Sequence, residues 1–229
     1  MRILLDDRLT AAAQFVRKDK VCADVGCDHG KLTAYLAQNN LCTKVIAIDV
    51  NQDPLQKAQQ LVEKCGCGHK VECRLADGLK GLAPKEAQDI VIAGLSGVTI
   101  AALIEAEKWV RQEDIRLILV PASKPDTLRT RLLCQGFVIQ QEKAVLAADR
   151  PYTVMCAAYC GTPAVADRKY SLLGELANQK GEAAQRYRKK IVKQLKKEYQ
   201  GMEQGARYSA QQKQQLCALI QEVETLCQE

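Results

Sequence analysis

The stretch from Lys20 to Leu32, reading Lys-Val-Cys-Ala-Asp-Val-Gly-Cys-Asp-His-Gly-Lys-Leu, constrains the fold of this chain more than any other. An apolar run stops abruptly in acids and glycines and passes at once into a helical pattern, the signature of a strand, a tight turn and a helix start. Val21 to Val25 predict a short strand buried on both faces. Gly26 lets the backbone turn without a Cβ clash, and Gly30 permits close approach where the helix opens. A turn of this kind at the carboxyl end of a strand makes a ligand crevice.

The dinucleotide fingerprint Gly-x-Gly-x-x-Gly is absent, because its middle position holds Asp28. A carboxylate there repels the pyrophosphate that a helix N-terminus attracts. The turn therefore suits a nucleoside without phosphates. S-adenosyl-L-methionine meets that condition: its sulfonium and ammonium favour Asp24 and Asp28, and its ribose offers two free hydroxyls. The same two acids also read as turn-forming side chains that bond their own backbone.

Acids recur at the ends of later strands. Lys44 to Ile48 predicts a second buried strand ending in Asp49 and Val50; Asp49 lies 23 residues beyond Gly26. An acid at the tip of a neighbouring parallel strand can accept both ribose hydroxyls. Val71 to Leu75 is a third strand, followed by Ala76-Asp77-Gly78, where Asp77 is placed to bond an adenine amino group. Gln88 to Ala93 is a fourth, followed by Gly94-Leu95-Ser96-Gly97, a second crevice turn. Ser96 belongs either to the reacting site or to a helix N-cap. Arg116 to Val120 is a fifth, stopping at Pro121. Phe137 to Leu146 and Tyr152 to Tyr159 form an antiparallel pair at the sheet edge. Helical patterns separate the first five strands, and an N-terminal helix from Asp6 packs on the sheet or caps the ligand site. The expectation is an α/β fold with a doubly wound, mostly parallel seven-stranded sheet over residues 1–164.

At Gly161-Thr162-Pro163 the composition changes, and residues 165–229 carry only helical periodicity. Helices from Asp167 to about Gln204 and from Ser209 to Cys227, with Gly205 between them, predict an antiparallel, coiled-coil-like hairpin. The net charge of +6 gathers there, since this shorter part holds 12 basic and 8 acidic side chains. Arg186, Arg188, Lys189, Lys190, Lys193, Lys196 and Lys197 form a run without an acid, which is either a solvated helix face or a phosphate-binding one. Aromatic content of 4% argues against base stacking in rows. Tyr152 remains open between stacking on a base and packing the edge strand.

Eleven cysteines, with no signal peptide and no membrane-crossing run, point to reduced thiols in the cytosol. Cys65, Cys67, His69 and Cys73 match no common zinc spacing, so no metal is expected.

The succession Ala-Asp-Val-Gly-Cys-Asp-His-Gly, a strand ending Ile-Asp, Ala-Asp-Gly-Leu, Ala-Gly-Leu-Ser-Gly, Leu-Ile-Leu-Val-Pro and a helical pair resembles the bacterial TrmK family over nearly the whole chain. Those enzymes are S-adenosylmethionine-dependent tRNA methyltransferases acting on N1 of the adenine at position 22. The resemblance implies a class I Rossmann-like methyltransferase, probed by cofactor contacts at Asp24, Gly26, Asp28, His29, Asp49, Val50, Asp77, Gly78 and Gly94. It further implies catalytic positions at Asp28, His29, Ser96 and Pro121, tRNA held by the hairpin, and a cytoplasmic monomer with no membrane partner. His29 either orients the substrate, relays a proton or caps the helix. Where the family is expected to carry Gly-Met-Gly-Gly and Gln-Pro-Asn, this chain has Gly94-Leu95-Ser96-Gly97 and Val120-Pro121-Ala122. These departures fall on the substrate side of the site. They leave open a methyltransferase with another substrate and a tRNA-binding protein that keeps the fold without turnover. An interaction module built on the hairpin is a third possibility.

Overall fold

The computed structural model describes residues 2–204 and 208–228. Seven strands form one sheet: β1 (Val21–Val25), β2 (Lys44–Asp49), β3 (Val71–Leu75), β4 (Asp89–Ala93), β5 (Arg116–Val120), β6 (Phe137–Ala147) and β7 (Arg150–Tyr159). Their spatial order is β3-β2-β1-β4-β5-β7-β6. The first five are parallel, and β7 runs antiparallel to both β5 and β6. The order reverses beside β1, which opens a crevice where the β1 and β4 turns diverge.

Alternation along the strands explains why helices cover both faces. Ile90, Ile92, Leu117 and Leu119 point to one side, packing with α4 (Gly97–Ala106) and α5 (Pro125–Cys134) through Ile100, Ile104, Leu128 and Leu132. Val91, Ile118 and Val120 point to the other, against α1 (Asp7–Phe15) and α2 (Lys31–Gln38) through Ala12, Leu32 and Leu36. Such two-sided burial gives the near-continuous apolar runs of a parallel sheet. Helix α3 (Gln52–Lys64) follows β2 and buries Leu55, Ala58 and Val62. Gly30, at φ +68°, must be glycine for a second reason as well: a Cβ there would lie 2.6 Å from the Cβ of Ala58 on α3.

The C-terminal part departs from the expected pair of uninterrupted helices. The first is broken into α6 (Arg168–Leu173), a 3-10 turn (Gly174–Ala177) and α7 (Glu182–Gln204); α8 (Ala210–Leu226) completes the hairpin. Gly174 makes the break because it sits against the charged pair Arg129 and Glu142, where a Cβ would lie 2.2 Å from Glu142 Oε2. The two long helices run antiparallel, with Gln185 near the start of α7 donating to the carbonyl of Cys227 beyond the end of α8. The turn position Gly205 lies outside the described residues.

The hairpin is fastened to the sheet by a buried polar knot. Arg129 on α5 donates to Glu142 Oε1 on β6 at 3.0 and 2.7 Å, to the carbonyls of Ser171 and Leu172, and to the Tyr187 hydroxyl on α7. Glu142 also accepts from the Thr153 hydroxyl and from the Glu175 amide. Both charged side chains are fully buried, and each has several partners, as burial of charge requires. Among the described residues no helix is long and apolar enough to cross a membrane.

Candidate active site

The turns after β1, β2, β3 and β4 meet at one end of the sheet and enclose a cavity of about 680 Å³. All nine residues expected at a cofactor line it: Asp24, Gly26, Asp28, His29, Asp49, Val50, Asp77, Gly78 and Gly94. The backbone explains the convergence. The amides of Gly26 and Cys27 both donate to the Ile48 carbonyl, at 2.8 and 3.0 Å, laying the first turn across the end of β2. Asp49 then accepts from the Asp28 amide at 3.0 Å and from the Asn51 amide at 2.9 Å. One carboxylate thus fixes two turns while still lining the cavity.

Asp28 adopts φ +49°, a left-handed conformation that aspartate tolerates better than most residues. Its exposed carboxylate lies 3.5 Å from His29 Nδ1. Asp24 is the opposite case: it is 3% exposed, and its Oδ2 accepts the Thr33 hydroxyl of α2 at 2.7 Å. Burial pushes its carboxyl up to about 6; the Thr33 bonds oppose that shift and the charge of Asp49 adds to it. Among the described residues Asp24 forms no ion pair, although Arg8 and Lys31 also line the cavity. Asp77 is exposed and pairs with Lys80 at 2.8 Å.

Helix α1 does both things allowed for it, packing on the sheet and closing the cavity with Asp6, Arg8 and Leu9. Asp6 caps the helix, accepting from the Arg8 and Leu9 amides. The Arg8 guanidinium pairs with Asp6 at 2.7 Å and lies 4.8 Å from the centroid of the Tyr152 ring. Sequence reasoning missed Arg8 because its place is set by tertiary packing. Thr33 was missed too, although a threonine in the first turn of a helix that follows an acidic strand end is a readable signal for a carboxylate partner.

Two of the expected catalytic positions lie outside this cavity. Ser96 is the N-cap of α4: its Oγ accepts from the Thr99 amide at 3.1 Å and lies 2.8 Å from the Thr99 hydroxyl. It does not line the cavity. Pro121 is buried just beyond β5 and lines a separate hollow of about 280 Å³, between the β5–α5 turn, the start of β7 and α7. Asp28 and His29 stay in the first cavity, so the four residues named for catalysis are not brought together.

The basic run on α7 is also divided. Arg188 is corrected: it is 4% exposed and donates to the carbonyls of Leu176, Ala177 and Gln179, tying the 3-10 turn to α7. It shares a face with Ala184, Ile191 and Leu195, a spacing that the sequence already contained. Arg186 pairs with Asp149 and with Glu182, and Lys196 pairs with Glu224. Lys189, Lys190, Lys193 and Lys197 are exposed. Among the described residues no group of three or more His, Cys, Asp or Glu is arranged to hold a metal ion.

Known proteins share both the sequence and the architecture. Residues 5–155 match the family described as a methyltransferase domain. The chain is 31% identical over 153 residues to the tRNA (adenine(22)-N(1))-methyltransferase of Bacillus subtilis (strain 168), an alignment covering 67% of this chain and 64% of that relative. The crystal structure of the Bacillus subtilis tRNA methyltransferase TrmK superposes with a TM-score of 0.84 at 26% identity, covering 99% of this chain and 100% of that one. A Streptococcus pneumoniae protein assigned as a tRNA (m1A22) methyltransferase, solved in complex with S-adenosyl-L-methionine, gives a TM-score of 0.81 at 25% identity, covering 98% and 100%. Because the matched residues run from α1 through most of β7, and so include every turn of the cavity, this chain belongs to the methyltransferase-domain family.

Proposed function

We propose that the protein is an S-adenosylmethionine-dependent tRNA methyltransferase that acts on N1 of the adenine at position 22. The observation that carries this reading is Asp24, a carboxylate buried in the cavity that accepts from the Thr33 hydroxyl and forms no ion pair among the described residues. A cationic nucleoside satisfies it, and Asp28, Asp49 and Asp77 supply the surrounding acceptors. The relatives named as adenine-22 methyltransferases, one of them holding S-adenosyl-L-methionine, support the same substrate and cofactor.

When bound, the cofactor supplies an electrophilic methyl group on sulfur. Asp24 and Asp28 would balance its positive groups, Asp49 would accept from the ribose, Asp77 from the adenine amine, and Val50 would pack on the base. Adenine N1 carries an in-plane lone pair, so transfer is a direct displacement that needs N1 in line and about 3 to 3.5 Å from the methyl carbon. The N1-methylated base carries the positive charge that leaves sulfur, and no general base is compulsory. Extruding the base into the site costs a few kcal/mol, to be met by contacts to the rest of the tRNA. Lys189, Lys193 and Lys197 on α7 are suited to such phosphate contacts. We place the protein in the cytoplasm as a monomer, with residues 1–164 holding the cofactor and 165–229 the tRNA.

The test is methyl incorporation from labelled S-adenosylmethionine into unmodified tRNA, with the nucleoside identified by mass spectrometry and Asp24→Ala as control. A 1-methyladenosine product lost in the variant supports the reading. Cofactor binding without incorporation overturns it in favour of a tRNA-binding protein without turnover. A second reading, another methylated base, is favoured by the placement of Ser96 and Pro121 outside the cavity; a different methylated nucleoside would establish it.

A further inference from the structure

The smaller hollow is not part of the methyl-transfer cavity, yet it adjoins it. Val120 lines the first cavity and Pro121, the next residue, lines the second. On the other side Arg8 lines the first and Tyr152 the second, and the two side chains stack at 4.8 Å. The partition between the cavities includes this peptide unit, the Arg8–Tyr152 pair and the Ala122 amide bonded to the Leu95 carbonyl at 2.8 Å.

The lining of the hollow is chemically mixed. Tyr152, Ile191 and Leu172 offer apolar and aromatic surface, whereas Lys124 and Lys190 bring charge. Asp126 is the one carboxylate among its lining residues, and neither lysine forms an ion pair among the described residues. Lys124 stands at φ +54° immediately before α5, and Lys190 donates to the Pro151 carbonyl at 3.5 Å. Desolvation and the charge of Arg150 push the Lys190 ammonium below its ordinary value. An anion beside these cations would remove that strain, and an aromatic wall suits a base.

We infer that this hollow receives one nucleotide of the tRNA next to the methylated adenosine, its base against Tyr152 and its phosphate beside Lys124 and Lys190. The inference rests on the tRNA reading above and deepens it. A neighbour held here anchors the strand on the far side of the Arg8–Tyr152 partition, so that the target base is swung towards the methyl cavity rather than drawn back into its stack.

The experiment uses the full chain with Lys124→Gln, Lys190→Gln and Tyr152→Leu, the last checked by thermal unfolding against Tyr152→Phe, which keeps the ring. Each lysine variant is expected to raise KM for tRNA about tenfold and to lower the slope of log affinity against log salt by about one, while affinity for S-adenosylmethionine stays that of the parent. Tyr152→Phe should retain KM and Tyr152→Leu should not. Unchanged KM and salt slope in both lysine variants would overturn the inference. If the parent methylates no tRNA, the functional reading fails separately, and filter binding of tRNA then decides the hollow. Equal binding by parent and variants would overturn it, and weaker binding by the lysine variants would keep it as a nucleotide site.

Discussion

Replacing Asp24 by Asn tests whether the cavity is built around a missing positive charge. The folded carboxyl sits at about 6 against 3.8 for an ordinary aspartate, a gap worth ~3 kcal/mol of disfavoured ionisation. Because the folded-state value is raised, the native protein binds the extra proton between those two values. Stability without ligand is therefore highest, as far as this group is concerned, below pH 4. It falls as pH rises through 6, and the whole penalty is present above that. Asparagine keeps the acceptor for the Thr33 hydroxyl and removes the charge. At pH 7.5 the Asp24→Asn protein should be more stable than the parent by about 1 to 3 kcal/mol, since its amide also needs a partner. For a chain of this size that is a rise in Tm of about 2 to 12 °C. The gain should vanish near pH 4. In the parent, affinity for S-adenosylmethionine should strengthen as pH rises through 6, whereas the variant should bind weakly at every pH. Thermal unfolding and calorimetric titration across pH 4 to 8 supply both curves. A variant that is less stable at pH 7.5, or a parent whose affinity is flat through pH 6, would refute the argument.

Three further outcomes are expected. Glu142→Ala strands the buried Arg129 guanidinium and should cost about 3 to 5 kcal/mol in denaturant unfolding, while a paired Arg129→Met, Glu142→Leu change should recover most of it. Gly30→Ala places a Cβ 2.6 Å from Ala58 and forces a left-handed alanine; it should cost about 1 to 3 kcal/mol and weaken cofactor affinity measured by calorimetry. On α7, Lys189→Gln, Lys193→Gln and Lys197→Gln should each lower the salt slope of tRNA binding by about one with little change in Tm. Arg188→Gln should do the reverse, lowering Tm, because the buried guanidinium ties three carbonyls to α7.

The convergence of the acids on one cavity was legible because strand-end turns are local chemistry. An apolar run, a glycine and an acid within a few residues determine where the acid stands, and parallel pairing then brings Asp24, Asp49 and Asp77 to one end of the sheet. The placement of Ser96 and Pro121 was not, because it depends on which way a turn leaves the sheet. Ser96 and Pro121 follow strands as the acids do, but one is consumed by capping α4 and the other faces α7. The break at Gly174 was invisible for a related reason. Its cause is a carboxylate and a guanidinium brought from β6 and α5, more than thirty residues away in the chain. Arg188 was misplaced by counting charges along the chain instead of around the helix.

The Arg129–Glu142 knot also bears on how distance is measured along a nucleic acid. The helical arm is joined at its root to α5 and β6 by interior hydrogen bonds, so the separation between the lysines of α7 and the mouth of the cavity is held by the same contacts that bury Arg129. If tRNA lies along that arm as proposed, the protein acts as a gauge, and the position it modifies is selected by its distance from the arm as well as by its base.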